Sequence, residues 1–249
     1  MNLSHNTILI TGGGTGIGLE LAGEFLSRSN KVIICGRREE KLREAKERHP
    51  ELHTIQCDIS RSEERISLSK NTIEKFPSLN ILINNAGIQQ ELNFLSEIES
   101  GKIEDEISTD LTAQIHLSSL FIPHLRRKEH PAIINISSGL AFVPLSIVPV
   151  YCATKAAIHS FSMSLRKQLE KTPIKVFEIA PPTVDTNLDR GAREKRGMTD
   201  RGISAAECAA EMIKALEADT FFAPIGQGEN LYGALTGGKA DFVFERMNG

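Results

Sequence analysis

The stretch Thr11-Gly12-Gly13-Gly14-Thr15-Gly16-Ile17-Gly18 constrains this chain more than any other. It follows an apolar run over residues 7–11 and opens a helix-like segment over 17–28. Gly12 permits a tight turn, Gly16 lets the backbone approach a pyrophosphate, and Gly18 allows close helix–strand packing. The helix N-terminus then offers free N–H groups and partial positive charge to phosphates. A glycine-rich βα turn that holds nothing is the alternative. Position decides against it, because the turn follows the first strand, where a doubly wound sheet binds dinucleotides. Thr11, Gly12, Thr15, Gly16, Ile17 and Gly18 are the expected cofactor contacts at this end.

The rest of the chain keeps the same rhythm. Strand-like runs fall at 7–11, 31–35, 53–57, 81–84, 132–137, 175–179 and 221–224. Helix-like segments such as 17–28, 39–48 and 63–76 lie between them. The strands are rich in Ile and Val and lack clear alternation, as expected when both sheet faces are covered. Strand alternating with helix builds right-handed βαβ units. The expected fold is therefore α/β: a doubly wound, Rossmann-type domain with a seven-stranded parallel sheet flanked by helices. At 249 residues, with no repeat or linker, one nucleotide-binding domain over 1–249 is expected. Two regions break the rhythm: a polar segment at 187–202 and a poorly periodic tail at 226–249.

Charge and cysteine usage narrow the class. The formal charge is −3, which suggests neither nucleic acid nor a membrane surface as partner. No apolar run approaches the ~20 residues of a membrane span, and the polar start at 1–6 shows no signal peptide. Cys35, Cys57, Cys152 and Cys208 are scattered without metal or disulfide spacing, which predicts reduced thiols in the cytoplasm. Cys152 adjoins Tyr151, and packing is its expected role.

The second strand ends in Cys35-Gly36-Arg37-Arg38. NAD sites usually place an acidic residue here to accept from the ribose 2′-OH. Two guanidinium groups instead suit a 2′-phosphate, through charge-assisted hydrogen bonds. Arg37 is the favoured contact, and Arg38 is either a second contact or a solvated charge. NADP(H) is therefore expected over NAD(H).

Tyr151 and Lys155, four residues apart, share one helical face. An ammonium there stabilises the phenolate and lowers the tyrosine pKa, which suits general acid/base work. Ser138 stands thirteen residues upstream. Ser137 is the alternative serine.

Together these motifs resemble the short-chain dehydrogenases/reductases along residues 5–225. The matching elements are Thr11-Gly12…Gly16…Gly18, Asp58, Asn84-Asn85-Ala86-Gly87, Ser138, Tyr151…Lys155 and the 181–186 segment. Local runs such as 32–37 and 151–157 are similar to the bacterial DltE-like oxidoreductases. The resemblance implies that Tyr151 exchanges the proton and Ser138 holds the substrate oxygen. It implies that Lys155 tunes Tyr151 and holds the nicotinamide ribose. Asp58 and Ile59 are implied at the adenine, and Asn85, Ala86 and Gly87 along the adenosine side. Pro181, Val184 and Thr186 are implied at the nicotinamide. Asp58 could instead simply cap the following segment, and Asn84 and Asn85 could be turn residues only. Leu140, Phe142, Val143 and Leu188 are expected as apolar walls, with no metal. Such walls suit a medium-sized, partly apolar carbonyl or alcohol as the small-molecule substrate.

Two departures stand out. Asp110 occupies the position where the family usually has asparagine, whose backbone carbonyl helps hold a water beside the lysine. Its charge either opposes a tyrosinate or points away. Pro182 replaces the usual glycine and should stiffen the nicotinamide loop. Arg190, Arg193, Lys195, Arg196 and Arg201 make the 187–202 segment either a basic lid for an anionic substrate or a solvated loop. The resemblance also implies a homodimer, with a tetramer possible, through a face that Ala153, Ala157, Phe161, Ser164 and Leu165 would supply. The rival class is an NADP(H)-binding sensor or scaffold that kept the fold without the chemistry. A serine hydrolase is disfavoured, because no GxSxG elbow is present.

Overall fold

The apolar runs pair side by side, in register, and all in one direction. In the computed structural model, which describes residues 1–189, 191–195, 197 and 202–249, seven parallel strands form one sheet. In chain order they are β1 (Thr7–Thr11), β2 (Lys31–Gly36), β3 (His53–Gln56), β4 (Ile81–Asn84), β5 (Ala132–Ile136), β6 (Lys175–Ala180) and, after two short strands, β9 (Phe222–Pro224). The spatial order is β3-β2-β1-β4-β5-β6-β9. The short strands β7 (Val184–Asp185) and β8 (Ile203–Ser204) pair separately, beside the gap in the described chain.

Successive strand residues point to opposite faces, so each strand feeds two layers. Ile8, Ile10, Ile34, Ile83 and Ile134 pack with Leu21 and Phe25 of α1 (Gly16–Leu26). Met212 and Leu216 of α8 (Ala205–Glu217) complete that layer. Leu9, Ile33, Leu82 and Ile133 face the other way, onto α3 (Ser62–Lys75), α5 (Ala113–Leu125) and α6 (Pro149–Gln168). Each fully buried Ile, Leu or Phe contributes about 1.5–3 kcal/mol. Double burial is why the strands read as unbroken apolar runs. Leu165, expected on a dimer face, is turned into this second layer.

Two local features depart from the expected pattern. Between α4 (Lys102–Ile107) and α5, residues Ser108–Thr112 form a π turn. Such turns insert a residue into a helix and re-aim its neighbours. The tail forms two helices, α9 (Gln227–Thr236) and α10 (Ala240–Asn248). α10 buries no residue in the core, so its sequence carries no core-facing stripe. The calls on Arg190, Arg196 and Arg201, and on the side chains of Arg193 and Lys195, lie outside the described residues.

Candidate active site

The chain reverses its strand order between β1 and β4, and the loops after these strands part to leave a crevice. A cleft of about 1020 Å³ occupies it. The glycine turn forms its floor. Gly12 and Gly16 have φ of +66° and +56°, a region that side chains rarely enter. A Cβ on Gly12 would lie 2.8 Å from Ala86 Cα, and one on Gly18 would lie 2.6 Å from Gly12 O. The turn can therefore follow this path only as glycine.

Thr11 does not line the cleft; it is fully buried and stitches the two loops together. Its Oγ1 accepts from the N–H groups of Asn85 at 3.0 Å and Ala86 at 3.1 Å. Asn85 Nδ2 donates back to Thr11 O at 2.9 Å. Asn84 points into the core, where its amide donates to Asn135 Oδ1 at 2.9 Å and Ser118 Oγ at 3.1 Å. It is a sheet-locking residue, while Asn85, Ala86 and Gly87 line the cleft.

At the β2 end the cleft is lined by Arg37, Arg38, Asp58 and Ile59. Arg38 Nη2 donates to Thr15 Oγ1 at 3.5 Å, which holds the guanidinium beside the glycine turn. Asp58 Oδ1 accepts from the Ser60 N–H at 3.0 Å and its hydroxyl at 2.8 Å, so it builds the turn as well as facing the cleft. Sequence reasoning missed Arg65. It is buried and donates to Ile59 O and Ser60 O, fixing this loop from behind.

At the other end α6 presents Tyr151 and Lys155 one turn apart, both buried and both facing the cleft. Lys155 Nζ lies 5.3 Å from the Tyr151 ring centroid and donates to Ile136 O at 3.3 Å. It is also 3.6 Å from Asp110 Oδ2. The π turn aims Asp110 inward, and Asp110 Oδ1 accepts from the Ile88 N–H at 2.8 Å. Gly87 makes room for this pair: a Cβ there would lie 3.0 Å from Asp110 Oδ2 and 3.4 Å from Lys155 Nζ.

The electrostatics correct one expectation. Burial pushes the Asp110 carboxyl up to about 6, against the pull of Lys155 and the Ile88 N–H. Burial also pushes the Tyr151 phenol well above its ordinary value. The Asp110 charge adds to that rise, and a hydrogen bond with Ser138 opposes it. The expected lowering by Lys155 does not prevail, because its ammonium is engaged by Asp110 and Ile136 O. All four cysteines are buried free thiols whose pKa values are raised mainly by burial, which disfavours the thiolate.

Ser138 caps a 3-10 turn (Gly139–Ala141), and its hydroxyl accepts from the Leu140 N–H at 3.2 Å. Ser138, Leu140, Leu188, Pro181, Pro182, Val184 and Thr186 all line the cleft. Phe142 and Val143 do not. Phe142 is buried edge-on against His159, Phe222 and Tyr232, with centroids 5.2, 5.8 and 5.2 Å away. Val143 is fully buried. Ser137 also borders the cleft, but its hydroxyl is committed to the buried Glu178 Oε1, to which it donates at 2.7 Å. His159 Nδ1 lies 2.9 Å from Glu178 Oε2. This Ser137–Glu178–His159 cluster was not legible in the sequence, since its members lie far apart along the chain.

The family model for short chain dehydrogenases matches residues 6–197. The chain belongs to the short-chain dehydrogenase family and is an oxidoreductase of that family, whose members bind a nicotinamide cofactor. Among its relatives is the "Uncharacterized oxidoreductase DltE" of Bacillus subtilis (strain 168), 47% identical over 249 residues, covering 100% of this chain and 98% of that protein. Its fold is shared by a short-chain dehydrogenase of Burkholderia cenocepacia J2315 in complex with NADP, with a TM-score of 0.85 and 22% identity over 99% of each chain. It is also shared by a short-chain dehydrogenase of Sphingobium yanoikuyae in complex with NADPH, with a TM-score of 0.80 and 24% identity over 96% of this chain and 95% of that one. Among the described residues, no helix is long and apolar enough to cross a membrane.

Proposed function

We propose that the protein is an NADP(H)-dependent reductase of a small carbonyl compound, with Tyr151 as the proton donor. One observation carries this reading: Ser138, Tyr151 and Lys155 share the wall of a cleft whose far end is the glycine turn. Arg37 and Arg38, with Gly36 in place of an acidic residue, supply the charge that a 2′-phosphate needs. The glycine cradle that a Cβ would fill fits a pyrophosphate. A nicotinamide bound here supplies or accepts the hydride.

The chain's own groups do the rest. Ser138 donates a hydrogen bond to the substrate carbonyl oxygen and fixes its position. Tyr151, held protonated by burial, passes its proton to that oxygen as negative charge develops. Lys155 holds the ribose side of the cofactor site and carries positive charge beneath the ring. In the reverse direction Tyr151 takes the proton back.

The test compares wild type with Tyr151→Phe on a panel of aldehydes and ketones, together with NADPH titration. Turnover should fall at least about a hundredfold while NADPH affinity holds. A second reading, a cofactor-binding sensor, is favoured by Asp110 beside Lys155, which works against a tyrosinate. Tight NADPH binding with no Tyr151-dependent turnover would select it. The reading includes a single catalytic domain in the cytoplasm and a homodimer. Exposed Met163 on α6 and Ile115 on α5 support a pairing face, which light scattering in solution tests.

A further inference from the structure

The tail helices wall the substrate end of the cleft. α9 packs directly on the Ser138 turn: a Cβ on Gly139 would lie 3.1 Å from Gly228 Cα and 3.1 Å from Leu231 Cδ1. A Cβ on Gly228 would lie 2.7 Å from Ala180 O, so the helix sits as close as backbone allows. α10 is tied to the opposite rim. Asn248 Nδ2 donates to Pro144 O at 3.2 Å, and the Ser146 N–H donates to Asn248 Oδ1. The two helices thus span from the loop that carries Ser138 to the loop that leads into Tyr151.

Their inner faces are mostly apolar or neutral, with Leu231, Val243 and Met247 facing Leu145, Ile147 and Leu188 across the cleft mouth. The charged residues among the described lining are Arg37, Arg38, Lys41, Asp58, Lys155 and Arg246. The first four gather at the β2 end, and Lys155 is engaged by Asp110 and Ile136 O. Arg246, two residues before the Asn248 anchor, is the charge left at the tail end. No carboxylate among the described lining residues stands there to neutralise it.

We propose that Arg246 is a specificity-determining residue that reads an anionic oxygen group on the substrate. A planar guanidinium offers two parallel N–H donors to a carboxylate, and Arg246, exposed at the cleft mouth, can meet an incoming anion there. The substrate class is then an aldehyde or ketone that carries a carboxylate, or a similar oxyanion, separated from the reacting carbonyl. The carbonyl lies at Ser138 and Tyr151, and the anion lies under α10. This inference rests on the reductase reading for the carbonyl end only.

The experiment uses the full chain with NADPH and two aldehydes of nearly equal shape, para-carboxybenzaldehyde and its methyl ester. Wild type should prefer the acid. In Arg246→Met the ratio of kcat/KM for acid over ester should fall about tenfold to a hundredfold, mainly through KM. Arg246→Lys should recover part of that loss. A ratio that does not move in Arg246→Met overturns the proposal. Thermal unfolding of each variant separates misfolding from lost recognition. If wild type turns over neither aldehyde, calorimetric binding of terephthalate and its dimethyl ester to the NADPH-loaded protein decides instead. An Arg246-dependent preference for terephthalate supports the anion site and leaves only the reductase reading to fail. Equal binding, or a preference that survives Arg246→Met, overturns it.

Discussion

Asp110 Oδ2 lies 3.6 Å from Lys155 Nζ, with both side chains buried behind Gly87. A carboxyl held at about 6 in the fold binds its proton more tightly than the same group in the unfolded chain. The stability penalty is therefore absent below the ordinary carboxyl pKa of about 4 and complete once pH passes about 6. Asp110→Asn should remove that limb. Urea midpoints measured across this window should fall with rising pH in wild type more steeply than in the variant. Equal slopes would show that Asp110 is not titrating there.

On the proposed mechanism, the raised pKa of Tyr151 gives the two directions different pH dependences. Carbonyl reduction uses the phenol, which dominates at neutral pH, whereas alcohol oxidation needs the phenolate. Oxidation should therefore climb into the alkaline range while reduction stays flat through neutrality. Asp110 contributes to the rise, so Asp110→Asn should move the oxidation limb to lower pH. The pH dependence of kcat/KM in each direction checks both statements.

Arg37 stands at the end of β2, where the adenosine ribose would lie. Arg37→Asp should remove a partner for the 2′-phosphate and add an acceptor for a 2′-OH. The ratio of NADPH to NADH affinity should drop by about tenfold or more. Fluorescence titration with both cofactors reads it, and an unmoved ratio would reassign the guanidinium to solvent.

Glu178 anchors Ser137, the residue before Ser138. It is fully buried, accepts from Ser137 Oγ at 2.7 Å and meets His159 Nδ1 at 2.9 Å. Glu178→Ala takes the carboxylate partner from the buried Ser137 hydroxyl and the half-buried His159 ring and should cost about 1–3 kcal/mol of stability. Glu178→Gln, which keeps the shape, should cost less. Denaturant unfolding of the two variants measures the difference.

The sheet, the glycine turn and the Ser138, Tyr151 and Lys155 set were legible because each rests on local spacing. A strand–turn–helix or a one-turn interval is the same in sequence and in space. The pairing of Asp110 with Lys155 was legible only as one of two alternatives, since the choice depends on the added residue of a π turn that leaves no compositional mark. Thr11 looked like a cofactor contact, yet the first residue of the turn is spent holding Asn85 and Ala86. Phe142 looked like a substrate wall because apolar residues after Ser138 read alike, whichever side of the turn they take. The tail helices escaped notice because Gly226, Gly228, Gly237 and Gly238 punctuate the segment as loop residues do.

The chain contains no tryptophan and two tyrosines. One is Tyr151 in the cleft, and the other is Tyr232, packed against Phe222 with centroids 4.8 Å apart. At wavelengths beyond the band of its eleven phenylalanines, the near-ultraviolet absorbance of the cofactor-free protein is thus the signal of these two phenols. Subtracting the spectrum of Tyr151→Phe leaves the Tyr151 phenol visible on its own. The protein carries its own optical electrode at the Tyr151 hydroxyl, with no label to perturb it.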